Sequence, residues 1–239
     1  MVRKKVIRNP YCDQPNWANL QEEDVLEHLK IKQKEKLKPL TKGQEQLFKA
    51  IETSVITIVT GPAGSGRTYI SSGIASQMLK ENRIEKIIIT RPLITCGNGL
   101  GWLPGDCASK TTPFMMPLLD AFSDFFTTNE LEKLIKDDII EIIPLELMRG
   151  KSIKNSMMIL DESQNCEYKQ LHCFLTRLGE NSRIVINGDI SQSDIEGRSP
   201  LADVIGRLQG MPEISIVTLT EDDIVRHGLI REINRRLSL

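Results

Sequence analysis

The stretch TGPAGSGRTYI, residues 60–70, has the composition of a loop that holds phosphate. Gly61, Gly66 and Thr68 satisfy the pattern G-x-x-x-x-G-K-[ST] at every position but one, where Arg67 replaces the lysine. In such a loop, formed here by Gly61, Pro62, Ala63, Gly64, Ser65 and Gly66, the glycines let the backbone N–H groups, which all but Pro62 carry, turn toward phosphate oxygens. The helix that follows adds its positive end. Thr68 offers a hydroxyl to Mg²⁺.

Two further segments carry matching chemistry. In SMMILDESQN, residues 156–165, an apolar run ends in Asp161-Glu162. Asp161 suits a Mg²⁺ ligand, and Glu162 suits the group that orients or deprotonates an attacking water. Read alone, an Asp-Glu pair serves equally as the acidic start of a helix. In VINGDISQSD, residues 185–194, Gly188 permits close approach and Gln192 offers an amide to water or a γ-phosphate. Read alone, that segment is a capped turn. The three segments together point to a nucleotide site.

The elements that must position these groups are legible from patterning. SVITIVT (54–60), KIIIT (86–90), IIEIIPL (139–145), SMMILDE (156–162), SRIVINGD (182–189) and ISIVTLT (214–220) are short apolar runs that predict buried strands. Helices are expected over 40–52, 66–80, 114–126, 168–179 and from Asp223 to about Leu237. Apolar strands alternating with helices predict an α/β fold with a mostly parallel sheet flanked by helices. Such a sheet binds its ligand at the carboxyl ends of its strands. Four expected strand ends carry polar groups: Gly61 onward, Thr90-Arg91, Asp161-Glu162 and Gly188-Asp189.

Composition narrows the class further. The chain has 239 residues, 40% of them hydrophobic, enough for a substantial core. A net charge of −1 assigns no polyanionic partner to the molecule as a whole, so any nucleic-acid surface must be a local patch. Aromatic residues at 5% disfavour a base-stacking platform. Five scattered cysteines without a C-x-x-C pair predict reduced thiols, and Cys166, His172 and Cys173 lack the second ligand pair of a zinc set. No apolar run is long enough for a membrane span, and the basic start lacks the apolar stretch of a signal peptide, so a cytoplasmic protein is expected. Residues 1–39, with the lysine-dense LKIKQKEKLKPL, read as a basic arm ahead of a domain over 40–239. That arm is either a solvated face or a contact to nucleic acid or a neighbouring subunit.

The stretches LTKGQEQLFKAI, TIVTGPAGSGRTYI, KIIITRPLITCGNGLGWLPGD, IIPLELMRGKSI, MMILDESQNC, FLTRLGENSRIVINGDISQSDI and DDIVRHGLIREI run in order over about residues 40–235. In them the chain resembles the PhoH family, the phosphate-starvation-inducible ATP-binding proteins related to superfamily 1 helicases. LGWLPGD and PLELMRG make the resemblance specific, because nucleotide sites in general do not require them. The resemblance implies a RecA-like P-loop NTPase core, ATP and Mg²⁺ as ligands, and a helicase-like ATPase activity linked to RNA or single-stranded nucleic acid. It also implies a homo-oligomeric ring, by analogy a hexamer. It implies that Gln44 reads the adenine edge, the alternative being a solvent-facing helix glutamine. It puts Thr90, Arg91 and Pro92 on the nucleic-acid side, where Arg91 binds a phosphate backbone or pairs with a surface acid.

Phosphoryl transfer commonly recruits an arginine against the γ-phosphate. With one nucleotide core, that arginine must come from within it or from a neighbouring subunit. Arg149, Arg177 and Arg226 are the candidates, a surface ion pair being the alternative for each. Arg67 itself is the departure from the family pattern. Its forked guanidinium still neutralises phosphate but is longer than lysine. Three outcomes are open: an ATPase adapted to arginine, a slow nucleotide-binding switch, or an inert site. Thr68, Asp161, Glu162 and Gln192 are all present, which favours binding with some hydrolysis. The rival class is a non-catalytic nucleotide-binding ring or an RNA- or protein-binding scaffold. A nucleotide kinase fits the Asp161-Glu162 and Gly188-Asp189 arrangement less well.

Overall fold

The computed structural model describes residues 37–92, 118–148, 150, 152–192, 199–225 and 236. These fall within one compact unit, Glu35–Leu239. Most of the basic arm, residues 93–117, Arg149, Arg226 and most of the helix expected beyond Asp223 lie outside the described residues.

All six expected strands form: β1 (Ile56–Thr60), β2 (Lys86–Arg91), β3 (Ile140–Pro144), β4 (Ser156–Leu160), β5 (Arg183–Gly188) and β6 (Ile214–Thr218). They make one parallel sheet in the order β3-β2-β4-β5-β1-β6. Alternation along each strand splits the core into two layers. Val59, Ile87, Ile89, Met157, Ile159 and Val185 face one side. Ile58, Ile88, Met158, Leu160, Ile184 and Ile186 face the other. Both faces are covered, which is why these strands read as continuous apolar runs. Each fully buried isoleucine contributes about 1.5–3 kcal/mol.

The helices fill the two layers. Helix α1 (Lys42–Thr53) starts at Thr41, whose hydroxyl accepts from the Gln44 N–H at 3.2 Å, and buries Leu47 and Ile51. Helix α2 (Arg67–Lys80) is buried beyond the expected stripe of Ile70, Ile74 and Met78, because Ser71, Ser72, Ala75 and Ser76 are buried too. Small residues let it lie close to its neighbours: a Cβ on Gly73 would come within 2.8 Å of the Phe125 ring. Of the expected helix over 114–126, residues 118–126 are described; 118–123 are helical and 124–126 form a turn, so the helix ends three residues early.

Helix α4 (Tyr168–Leu175) ends four residues before the expected limit. Two helices were not expected: α3 (Thr128–Lys136) and α5 (Pro200–Leu208). Both carried signals. Thr127 and Glu130 form a capping box on α3, and Pro200 opens α5.

Candidate functional site

The strand order brings the four polar strand ends together. Strands β2, β4, β5 and β1 are consecutive neighbours, and Thr90 aligns with Leu160, Leu160 with Ile186, and Thr60 with Gly188. The residues that follow, Arg91, Asp161-Glu162, Gly188-Asp189 and Gly61, therefore line one edge. Strand β5 separates β1 from β4, so about 10 Å lies between the loop strand and the acidic strand. Helix α2 spans that gap.

The loop is shaped by its glycines. Gly64 and Gly66 have φ of 87° and 88°, a backbone that side chains disfavour. Helix α2 begins at Gly66 with no side-chain cap, so its N-terminal end faces the loop. The Ser65 hydroxyl donates to the Pro62 carbonyl at 2.8 Å, tightening the turn. Gln44 is 2% exposed. Its Nε2 donates to the Ser65 carbonyl at 2.9 Å and its Oε1 accepts from the Leu40 N–H at 2.8 Å. The structure thus corrects the solvent-facing alternative and ties the Gln44 amide to the back of the loop. A Cβ at Gly66 would come within 2.6 Å of that amide.

From the first turn of α2, the Thr68 hydroxyl donates to Asp161 Oδ1 at 3.1 Å. On the other side, Arg91 Nη2 donates to Asp161 Oδ2 at 3.1 Å and to Glu162 Oε1 at 3.4 Å. Arg91 is thus paired with the site's own acids. Arg67 reaches across to β5, where Nη1 donates to the Gly188 carbonyl. The Gly61 N–H donates to the same oxygen at 3.2 Å.

Glu162 has a left-handed backbone, with φ 52° and ψ 39°. Among the described residues the other non-glycine positive-φ positions are Asn82, Asp138, Asn155 and Asn181, types that tolerate this region. Glu162 is the exception. Its side chain is held at both ends: Oε1 by Arg91 and Oε2 by the Gln164 Nε2–H at 2.6 Å. Gln164 is buried, and its Oε1 accepts from the Asp189 N–H at 2.9 Å. It links the β4 and β5 strand ends. Gln164 was not foreseen as a site residue, although its place in D-E-S-Q, two residues past Glu162, was the available signal.

The remaining expected residues divide. Gln192 is exposed in the short helical turn Ile190–Gln192 after β5, with its N–H donating to the Asp189 carbonyl at 3.0 Å. Arg177 follows α4, and its carbonyl accepts from the Ile153 N–H ahead of β4. It therefore lies toward the amino ends of the strands, opposite its own chain's loop. A polar cavity of about 610 Å³ lies at those amino ends, lined by residues including Asn82, Arg83, Asn155 and Arg183. Its arginines are engaged, Arg83 by Glu52 and Arg183 by the carbonyls of Ile51, Glu52 and Ser54.

Cys166 is fully buried, and burial, then the nearby Glu146, push its thiol far above the usual range. No cluster of three metal-ligating side chains occurs among the described residues. No described helix is long and apolar enough to cross a membrane.

The donors at the loop suit the ligands the sequence implies. Thr68 and Asp161 present hard oxygen atoms side by side, as Mg²⁺ requires when phosphates complete its shell. The left-handed glycines keep the loop open to an anion.

The profile described as PhoH-like protein matches residues 36–238. The chain belongs to the PhoH-like protein family. Curated relatives agree. A PhoH-like protein of Bacillus subtilis is 39% identical over 219 residues, covering 91% of this chain and 68% of the relative. A PhoH-like protein of Mycobacterium bovis is 38% identical, covering 82% of this chain and 56% of the relative. Protein PhoH of Escherichia coli K12 is 37% identical, covering 80% and 55%. The chain thus spans between 55% and 68% of the length of these family members.

Among solved structures, the UvsW helicase of bacteriophage T4 superposes with a TM-score of 0.51 at 17% identity, covering 84% of this chain and 68% of that one. The large terminase of a thermophilic bacteriophage gives 0.51 at 10% identity, covering 83% and 50%. The fold is that of a RecA-like P-loop NTPase.

Proposed function

We propose that this chain is a Mg²⁺-dependent ATP-binding protein and ATPase, helicase-like, acting on RNA or single-stranded nucleic acid in the cytoplasm as a homo-oligomeric ring. The observation that carries this reading is the Thr68–Asp161 contact at 3.1 Å, which joins the phosphate loop to the acidic strand across β5. Family membership and the helicase fold of a structural neighbour support it.

In this reading residues 63–66 and the start of α2 bind the phosphates through backbone N–H groups, with Gly61 and Pro62 shaping the start of the loop. Thr68 and Asp161 would hold Mg²⁺, which when bound supplies positive charge against the developing charge on phosphate. Glu162 orients water and takes its proton. Gln164 and Arg91 hold the Glu162 carboxylate between them. Gln192, in the turn after β5, is the residue to sense the γ-phosphate. The activating arginine is Arg149, Arg177 or Arg226. If it is Arg177, it serves a neighbouring subunit, because it sits at the far end of its own sheet.

A second reading is favoured by one specific contact. The Arg67 guanidinium is bonded to the Gly188 carbonyl. If that contact persists with nucleotide bound, the site binds ATP without turnover and the chain is a nucleotide-binding scaffold. The separating experiment is ATP binding and phosphate release by the native chain and Glu162→Gln. Loss of turnover with binding retained supports the enzyme. Unchanged behaviour in both supports the scaffold.

A further inference from the structure

Arg91 lies against the two proposed catalytic acids, Asp161 and Glu162. It is the last residue of β2, and the Asp161 N–H donates to the Thr90 carbonyl at 2.9 Å, locking the two strand ends flush. That alignment puts one guanidinium against both carboxylates, at 3.1 Å from Asp161 and 3.4 Å from Glu162. The pair is shielded, with the Arg91 and Asp161 side chains 21% and 9% exposed. Together with Thr68 on Oδ1, Arg91 on Oδ2 engages both Asp161 oxygens.

We propose that Arg91 is a resident counter-ion that competes with the divalent metal and sets the metal concentration at which the site loads. The proposal rests on the reading of Thr68 and Asp161 as the metal-holding pair. The physical argument is charge. Two adjacent carboxylates with no cation would repel each other and draw in a divalent ion strongly. With Arg91 in place, one unit of positive charge already offsets them. A metal at Asp161 must either displace the guanidinium or lie beside a like charge.

Displacement has a second consequence. Glu162 is held by Arg91 on one oxygen and Gln164 on the other, over a disfavoured left-handed backbone. Removing Arg91 leaves Gln164 as the remaining named restraint. Metal loading would thereby loosen Glu162 from the sheet edge and turn it toward its water. Arg91 is a positioning residue in this account, acting through Asp161 and Glu162.

The test is Mn²⁺ binding followed by electron paramagnetic resonance, with and without a non-hydrolysable ATP analogue, on the native chain, Arg91→Gln and Arg91→Lys. Arg91→Gln is expected to bind Mn²⁺ about tenfold more tightly than native in both conditions. Arg91→Lys keeps the charge and is expected to stay within about twofold of native. Thermal melting reports folding independently. Equal or weaker Mn²⁺ binding by folded Arg91→Gln overturns the proposal, and so does the absence of Mn²⁺ binding in all three proteins. Failure of the analogue to bind, with Mn²⁺ tightening still seen, overturns the ATP reading and leaves Arg91's role standing.

Discussion

The Arg67 guanidinium donates to the Gly188 carbonyl, one strand away from the loop it belongs to. The same oxygen accepts the Gly61 N–H, so the first glycine of the loop and its cation share one anchor on β5. A lysine is shorter on its charged end, has no fork and loses nothing by turning to phosphate. Arg67→Lys is therefore expected to raise the rate of phosphate release at least about tenfold, with ATP affinity changed only a few-fold, since small displacements at a reacting centre cost rate more than binding. Steady-state phosphate release beside equilibrium binding measures both. An unchanged rate would mean that arginine is fully accommodated.

Glu162 combines strain with chemistry. Glu162→Gln keeps the size and backbone while removing the proposed base, and should lower turnover by about 10²–10³-fold with nucleotide binding retained. Glu162→Gly removes the left-handed cost, on the order of 1 kcal/mol. It should match or exceed native in thermal stability while losing turnover. Denaturation and activity on the two variants check this, and a clear loss of stability in Glu162→Gly would count against strain at this position.

Gln164 separates positioning from binding. Gln164→Ala removes the acceptor of the buried Asp189 N–H, a loss of about 1–3 kcal/mol. It also frees Oε2 of Glu162. Turnover should fall about tenfold while KM for ATP stays within a few-fold. A KM rise with constant turnover would place Gln164 in binding instead.

Asp223 gives a pH signature. It is 6% exposed and pins the start of α1, accepting from the Thr41 hydroxyl at 2.6 Å, the Gly43 N–H at 3.1 Å and the Thr220 N–H at 2.8 Å. Burial pushes its carboxyl up, but the bonds from Thr220, Thr41 and Gly43 together outweigh burial and hold it below the usual range. A lowered folded pKa means its stabilisation is present above the unfolded value of about 3.9 and is lost as pH falls through the folded value. The stability gap between native and Asp223→Asn should be constant near neutrality and shrink below about pH 4. Chemical denaturation across that range tests it, and a gap independent of pH would contradict the assignment.

The fold was legible because both faces of the sheet are buried. Runs such as SMMIL and RIVIN read as interior parallel strands, while the order in which they pair was not legible, because it depends on contacts between distant segments. That Thr68 and Asp161 would meet was legible, because the spacing from the glycines and from the strand end places both at the carboxyl edge of the sheet. Other side-chain partners were not. Nothing in the sequence ties Arg91 to Asp161, 70 residues away, because their meeting depends on β2 pairing with β4. Gln164 was hidden for the same reason, since its partner Asp189 lies on the next strand. Helix α3 went unread because its charged surface, with no fully buried residue, masks its Thr127–Glu130 cap.

The most direct measurement is calorimetric titration of the native chain with ATP, with and without Mg²⁺, with phosphate release followed on the same preparation in the presence and absence of single-stranded RNA. The account predicts Mg²⁺-enhanced binding and slow phosphate release whose rate RNA changes. Absence of ATP binding under all conditions would contradict it.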